Sequence, residues 1–228
     1  MKKTLILLLL LPLLTGCWDR LDLKKLHLVD VNGFDLNEKT GEVGAFFLIT
    51  KLKSTGQGTG EPISEMKELK GPTLAEAIGQ WEFTEQSPFI GISTRVYLIS
   101  KSFASDDPIS ELDFLLGAPY SSINTPLVVV DGDLSKIFET ATDPKKEFSK
   151  DLNEFVISME KNRTIPTISM MNFIQSRDEP LLDIALPMLS PINSSLELNG
   201  ALLYRNGTPT VKILDRDQKK LMMLMKSG

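Results

Sequence analysis

The sequence predicts an α+β fold, with helices packed on mixed or antiparallel β-sheets, arranged as two domains. Three observations carry that prediction. Runs with the two-residue alternation of strands come in small groups, separated by runs with the helical period instead of alternating with them one for one. One helix has a clear start signal at Thr73 and one strand pair a clear turn at Asn206-Gly207. The texture then changes at Asp143-Pro144-Lys145-Lys146, the predicted boundary between a domain over 17–143 and a smaller one over 144–228.

Residues 1–16 stand apart from both. Met1-Lys2-Lys3 is a basic start, and the apolar run Leu5–Leu14 is ten residues long, half of the roughly 20 that a membrane-spanning helix needs. A short apolar run with a basic flank and small residues at its end reads as a secretory signal peptide. Leu14-Thr15-Gly16-Cys17 resembles a bacterial lipobox, which implies cleavage before Cys17 and a diacylglyceryl group on its thiol. Each buried methylene contributes about 0.8 kcal/mol; one acyl chain holds a protein marginally, and two hold it stably. The expected anchor is therefore lipid at Cys17. Later apolar runs, such as Ala45–Thr50 and Leu127–Val130, are only of strand length.

Without the signal about 212 of the 228 residues remain, enough for one large or two ordinary domains. Loss of Lys2 and Lys3 leaves 23 basic against 30 acidic residues, a net charge of about −7. That balance lacks the basic stripe a nucleic-acid partner would need. Cys17 is the only cysteine, so once lipidated no thiol is left for a disulfide, a metal thiolate or covalent catalysis. His27 is the only histidine, which excludes a His-rich metal site.

Along the chain, "LHLVDVNGFDL" and "GAFFLITKLK" flank the turn-rich "NEKTGEV", a hairpin over Leu28–Lys53. "STGQGTGEP" is a Gly/Ser/Thr loop. Thr73 then caps a helix, with Glu76 completing a capping box and Leu74, Ala77, Ile78 and Trp81 on one face. "TRVYLIS" is a strand, and Asp107-Pro108 opens a short helix bearing Ile109, Leu112, Leu115 and Leu116. "PLVVVD" is apolar throughout, so it belongs in the middle of a sheet. Phe148, Leu152, Phe155, Val156 and Met159 share a face of a helix ending near Lys161, and "TISMMNFIQS" is a shorter helix. "LLDIALPML" and "LELNGALLY" are strands, Asn206-Gly207 a type I′ turn into "PTVKIL", and Asp215 the cap of a terminal helix. There is no internal repeat.

This order of elements, behind Gly16-Cys17-Trp18-Asp19, resembles the Ger(x)C family, the lipoprotein C subunits of bacterial spore germinant receptors. The residues that carry the resemblance are "GFDL" in the first strand, "KGPTLAEAIGQ", "STRVYLIS", and "NGALLYRNG" before an acidic-capped helix. It implies a non-enzymatic subunit without cofactor, lipid-anchored to the outer face of the cytoplasmic (spore inner) membrane. It implies action in nutrient-triggered germination through contacts with integral-membrane A and B subunits. It also singles out Trp18 and Asp19 for interactions near the anchor; physically, the Trp18 ring suits a membrane interface. The family continues into a third domain beyond the helix starting near Asp215. Only its first two domains are expected here, with Leu221, Met222, Leu224 and Met225 on a terminal helix deprived of its partner.

Other chemistry competes weakly. An extracytoplasmic solute-binding lipoprotein of a transporter has the same anchor and size but needs two α/β lobes around a cleft. "VVVDGDLS" is similar to the Asp-x-Asp start of haloacid-dehalogenase-type phosphotransferases, with Asp131 as nucleophile and Asp133 as general acid. Ser135 departs from that motif, and Asp133 as a helix cap explains it more simply. "GQGTG" lacks the Gly-Lys-Ser/Thr of a phosphate loop. Ser64/Lys67 and Ser158/Lys161 match Ser-x-x-Lys without the companion motifs of a hydrolase. No catalytic or metal-binding set is expected.

Overall fold

The computed structural model describes residues 27–53, 61–84, 89–90, 93–118, 121–143, 147–162, 164, 168–179, 183–192, 195–215 and 217–218. Leu14, Thr15, Gly16, Cys17, Trp18 and Asp19 lie outside these, as do the "GQGTG" segment and Leu221, Met222, Leu224 and Met225.

The apolar alternation of the first hairpin produces β1 (His27–Leu36) and β2 (Val43–Lys53), antiparallel in the register Phe34↔Ala45. Both faces of this hairpin are covered. Val43, Ala45, Phe47 and Ile49 join one apolar cluster, and Phe46 and Leu48 join another on the opposite side. The two later apolar strands, β5 (Val96–Ser100) and β6 (Leu127–Val130), are buried at every position, as central parallel strands are. β5 runs parallel to β1 and to β6, and β6 runs parallel to β7 (Asp183–Ile192).

Antiparallel arms extend this parallel centre. β3 (Glu61–Gly71) pairs with β2 on one side; β8 (Ser195–Arg205) and β9 (Thr208–Leu214) continue from β7 on the other. The order is β3-β2-β1-β5-β6-β7-β8-β9, with the two-residue β4 (Phe89–Ile90) alongside the start of β1. The fold is thus α+β with a mixed sheet, as predicted. It is one sheet among the described residues, not the two lobes that the solute-binding alternative requires.

Helices cover both faces. On the first lie α1 (Leu74–Gly79), α2 (Trp81–Thr84), α3 (Lys101–Ser105), α4 (Pro108–Leu112) and α7 (Met170–Gln175), inserting Leu74, Trp81, Phe103, Ile109 and Phe173. On the second lie α5 (Leu134–Ala141) and α6 (Phe148–Lys161), inserting Ile137, Phe138, Leu152 and Val156. Aromatic pairs clamp the layers: Phe47 against Trp81 at 5.4 Å, Phe46 against Phe138 at 5.6 Å and Phe173 against Tyr204 at 4.8 Å between ring centroids.

Two local findings differ from the sequence reading. Glu61–Gly71 is a full edge strand, which takes in the last two residues of the predicted loop and a stretch the sequence reading leaves unassigned. Its charges, with Lys51 paired to Glu65 and Lys70 to Glu68, suit an edge that must not pair with another chain. At α1, Thr73 accepts the Glu76 N–H at 3.2 Å, while Glu111 of α4 takes the Leu74 N–H at 2.7 Å. A tertiary carboxylate therefore shares the cap with the local box. The 143/144 boundary falls between α5 and α6, and the sheet crosses it through Val129↔Met188 and Val130↔Leu189.

Candidate functional site

The parallel centre gives the molecule two different poles. At one, β1, β5, β6 and β7 begin; His27, the first described residue, aligns there with Phe89 of β4. At the other these strands end, and polar side chains collect. Lys101, directly after β5, reaches Asp131, directly after β6, at 3.3 and 3.4 Å. Ser102 donates to Asp35 of β1 at 3.1 Å and shares a 2.8 Å hydrogen bond with Ser100, whose hydroxyl also caps α3 through the Phe103 N–H.

This grouping has a topological cause. The chain leaves β5 towards the first face, into α3, and leaves β6 towards the second, into α5. In open sheets a crevice opens at the carboxyl ends of neighbouring strands whose connections diverge in this way. Beside it, Asp35, Glu42, Glu68, Lys70 and Ser135 line a cavity of about 260 Å³. A second cavity of about 270 Å³, between Ile137, Phe148, Pro191 and Leu196, has an apolar floor with Asp133 and Lys136 at its rim.

The sequence candidates for chemistry take structural roles. Asp133 accepts the Lys136 N–H and caps α5. The Asp131-x-Asp133 pair is therefore divided between an ion pair and a helix cap. Ser64 and Lys67 sit three apart on a strand, so they point to opposite faces; Ser158 donates to the Phe155 carbonyl within α6. Among the described residues, no group of three or more His, Cys, Asp or Glu is arranged to hold a metal ion, and no helix is long and apolar enough to cross a membrane.

Sequence reasoning missed Lys101–Asp131. Each residue is legible as the first polar position after an apolar strand; only the parallel pairing of β5 and β6 brings them together. It also missed a buried polar network near the opposite pole. Asn32 donates to Thr94 at 2.9 Å, and Thr125 donates to the Thr94 carbonyl at 2.9 Å and bonds Ser122 at 2.7 Å. Beside them, burial pushes the Tyr97 phenol up to about 12, against opposing hydrogen bonds from Thr94, Ser122 and Asn32.

Residues 19–191 match the family described as the spore germination protein N-terminal domain. This chain belongs to that family. The match begins two residues after Cys17 and runs into β7, so it takes in the parallel centre, both helical layers and the Lys101–Asp131 crevice. The chain is also similar to the spore germination protein GerQC of Bacillus cereus, with 23% identity over 217 residues, 95% of this chain and 59% of the relative. It therefore spans about three fifths of the length of that germination protein. Among solved structures, the crystal structure of the GerBC protein aligns over 82% of this chain and 52% of its own, with 10% identity and a TM-score of 0.40.

Proposed function

We propose that this spore germination family member is a non-enzymatic, lipid-anchored subunit of a germinant receptor, tethered through a diacylglyceryl group on Cys17. In this reading it works by protein–protein contact with the receptor's integral-membrane A and B subunits, on the outer face of the spore inner membrane. One observation carries the proposal: the family match starts at residue 19, immediately behind a lipobox-like Leu14-Thr15-Gly16-Cys17. Two features are consistent with it. No helix among the described residues is long and apolar enough to cross a membrane, and two acyl chains suffice to hold a protein stably at one. At the carboxyl pole Lys101 is paired with Asp131, and Asp133 caps α5 and pairs with Lys136, so the residues of the Asp-x-Asp motif have structural partners.

The test is co-purification from spore inner membranes, with mass spectrometry of the Cys17 peptide. Two multispanning proteins recovered with a diacylated chain are the expected result; transporter components, or the chain alone, would replace this reading with the solute-binding one. The Cys17→Ala variant should leave the membrane fraction and lose nutrient-triggered germination at equal abundance. Normal germination from a released variant would remove the anchor from the function.

A further inference from the structure

Resting on the lipid-anchor reading above, we infer that the pole where β1, β5, β6 and β7 begin faces the phospholipid surface, around Leu28 and Ile63, and that the carboxyl pole with both cavities points away from it. The reasoning combines tether length with strand direction. Only residues 18–26 separate Cys17 from His27. A chain of that length spans at most about 33 Å. β1 has ten residues and so nine steps, which at ~3.4 Å each put its far end about 31 Å from its start. Turning the carboxyl pole towards the membrane would require the tether close to its full extension. With the opposite pole down, the tether needs little of that reach.

The charges agree with this direction. Leu28 is 36% and Ile63 44% exposed at the membrane-side pole, but Ile192 at the end of β7 is 43% exposed at the other, so the charges and not the apolar groups separate the two poles. The cations near them are balanced: Arg95 faces Asp30 at 3.7 Å, Lys51 is paired with Glu65, and Arg205 with Asp183 at 3.3 Å. The far pole carries Asp35, Glu38, Glu42 and Glu68 around the β1–β2 turn against Lys39 and Lys70. An acidic end is repelled by anionic headgroups, and a neutral end is not.

The experiment uses the full lipidated chain in vesicles of phosphatidylglycerol and phosphatidylethanolamine. Benzoylphenylalanine is placed singly at Leu28, Ile63, Lys39 or Ser195, and lipid adducts are counted after irradiation. All four are surface positions, and circular dichroism checks that each variant folds. Adducts at Leu28 and Ile63, with none at Lys39 and Ser195, are expected. Equal adducts at both poles, or adducts at Lys39 and Ser195 alone, overturn the orientation while leaving the anchor intact. A chain that floats free of the vesicles with unmodified Cys17 overturns both.

Discussion

Gly33 shows how little freedom a single position has inside this sheet. A Cβ there would lie 2.5 Å from Cε2 and 2.8 Å from Cζ of Phe138, a ring with no exposed surface, itself packed on Phe46. Gly33→Ala should therefore cost about 1–3 kcal/mol, the usual range for overpacking, seen as a lower urea midpoint. An unchanged midpoint would mean that the ring can move aside. The buried phenols make a second prediction at this scale. Burial pushes Tyr97 up to about 12 and Tyr204 higher still, while an unfolded tyrosine ionises near ~10. The folded pKa values are raised, so their stabilisation is complete below about pH 10 and falls away as pH rises through 12. Thermal melts between these limits should show a shallower alkaline decline in Tyr97→Phe than in the parent. Tyr204→Phe also loses the bond to the Ala104 carbonyl, at about 0.5–1.5 kcal/mol.

Among the elements, most helices announce themselves in sequence because their starts are local chemistry; α3, which follows β5 without a break, does not. Thr73, Ser100, Asp107, Asp133 and Ser169 each accept an N–H three residues on, the role that favours these side chains at N-caps. Asp133→Ala should cost about 1 kcal/mol, and Asp133→Asn only a few tenths, because either oxygen serves the cap. Equal losses from both would assign the carboxylate a role beyond capping. At α4 the cap is also charged. Burial opposes ionisation of Asp107, but hydrogen bonds from Ser110 and Arg177 outweigh it and hold the carboxyl below its ordinary range. Its stabilisation is present above the ordinary carboxylate pKa and is lost as pH falls through the lowered one. Arg177→Gln brings the folded pKa back towards the unfolded one, so it should be less stable at neutral pH and show a shallower acid limb in a stability–pH curve than the parent. β3 was not legible for the converse reason. Its apolar residues Ile63, Met66 and Leu69 are spaced by three, because Met66 packs on one face of the sheet while Leu69 packs on the other. A residue spacing of three does not look like a strand until both faces are known to be covered.

For the whole molecule, a division at 143/144 is best tested by unfolding. As a proposal, it marks where the chain passes from the β1–β6 half of the sheet to the β7–β9 half. The first-face cluster contains Phe47, Trp81 and Leu127 from before that point and Phe173, Leu186 and Tyr204 from after it. Fluorescence of Trp81 and far-UV dichroism should therefore fall in one coincident urea transition. Two separated transitions would make the halves independent folding units. The same continuity explains the polar crevice, whose Lys101 and Asp131 are 30 residues apart in the chain and joined across β5 and β6.

By itself the sequence determined the α+β class, the Leu28–Lys53 and Asn206-Gly207 hairpins, the helix starts at Thr73, Asp107 and Asp133 and the central position of "PLVVVD". It also carries Leu14-Thr15-Gly16-Cys17, on which the proposed anchor rests. All of these depend on near neighbours: alternation, capping spacing and turn dihedrals act over two to four residues. The Asn206-Gly207 turn, with φ of 52° and 71°, is the plainest case. Only the tertiary structure decided the strand order, the covering of both faces of β2, the edge strand β3 and the meeting of Lys101 with Asp131. Strand order depends on which way each connection leaves the sheet, and that choice is made by packing between residues far apart in the chain.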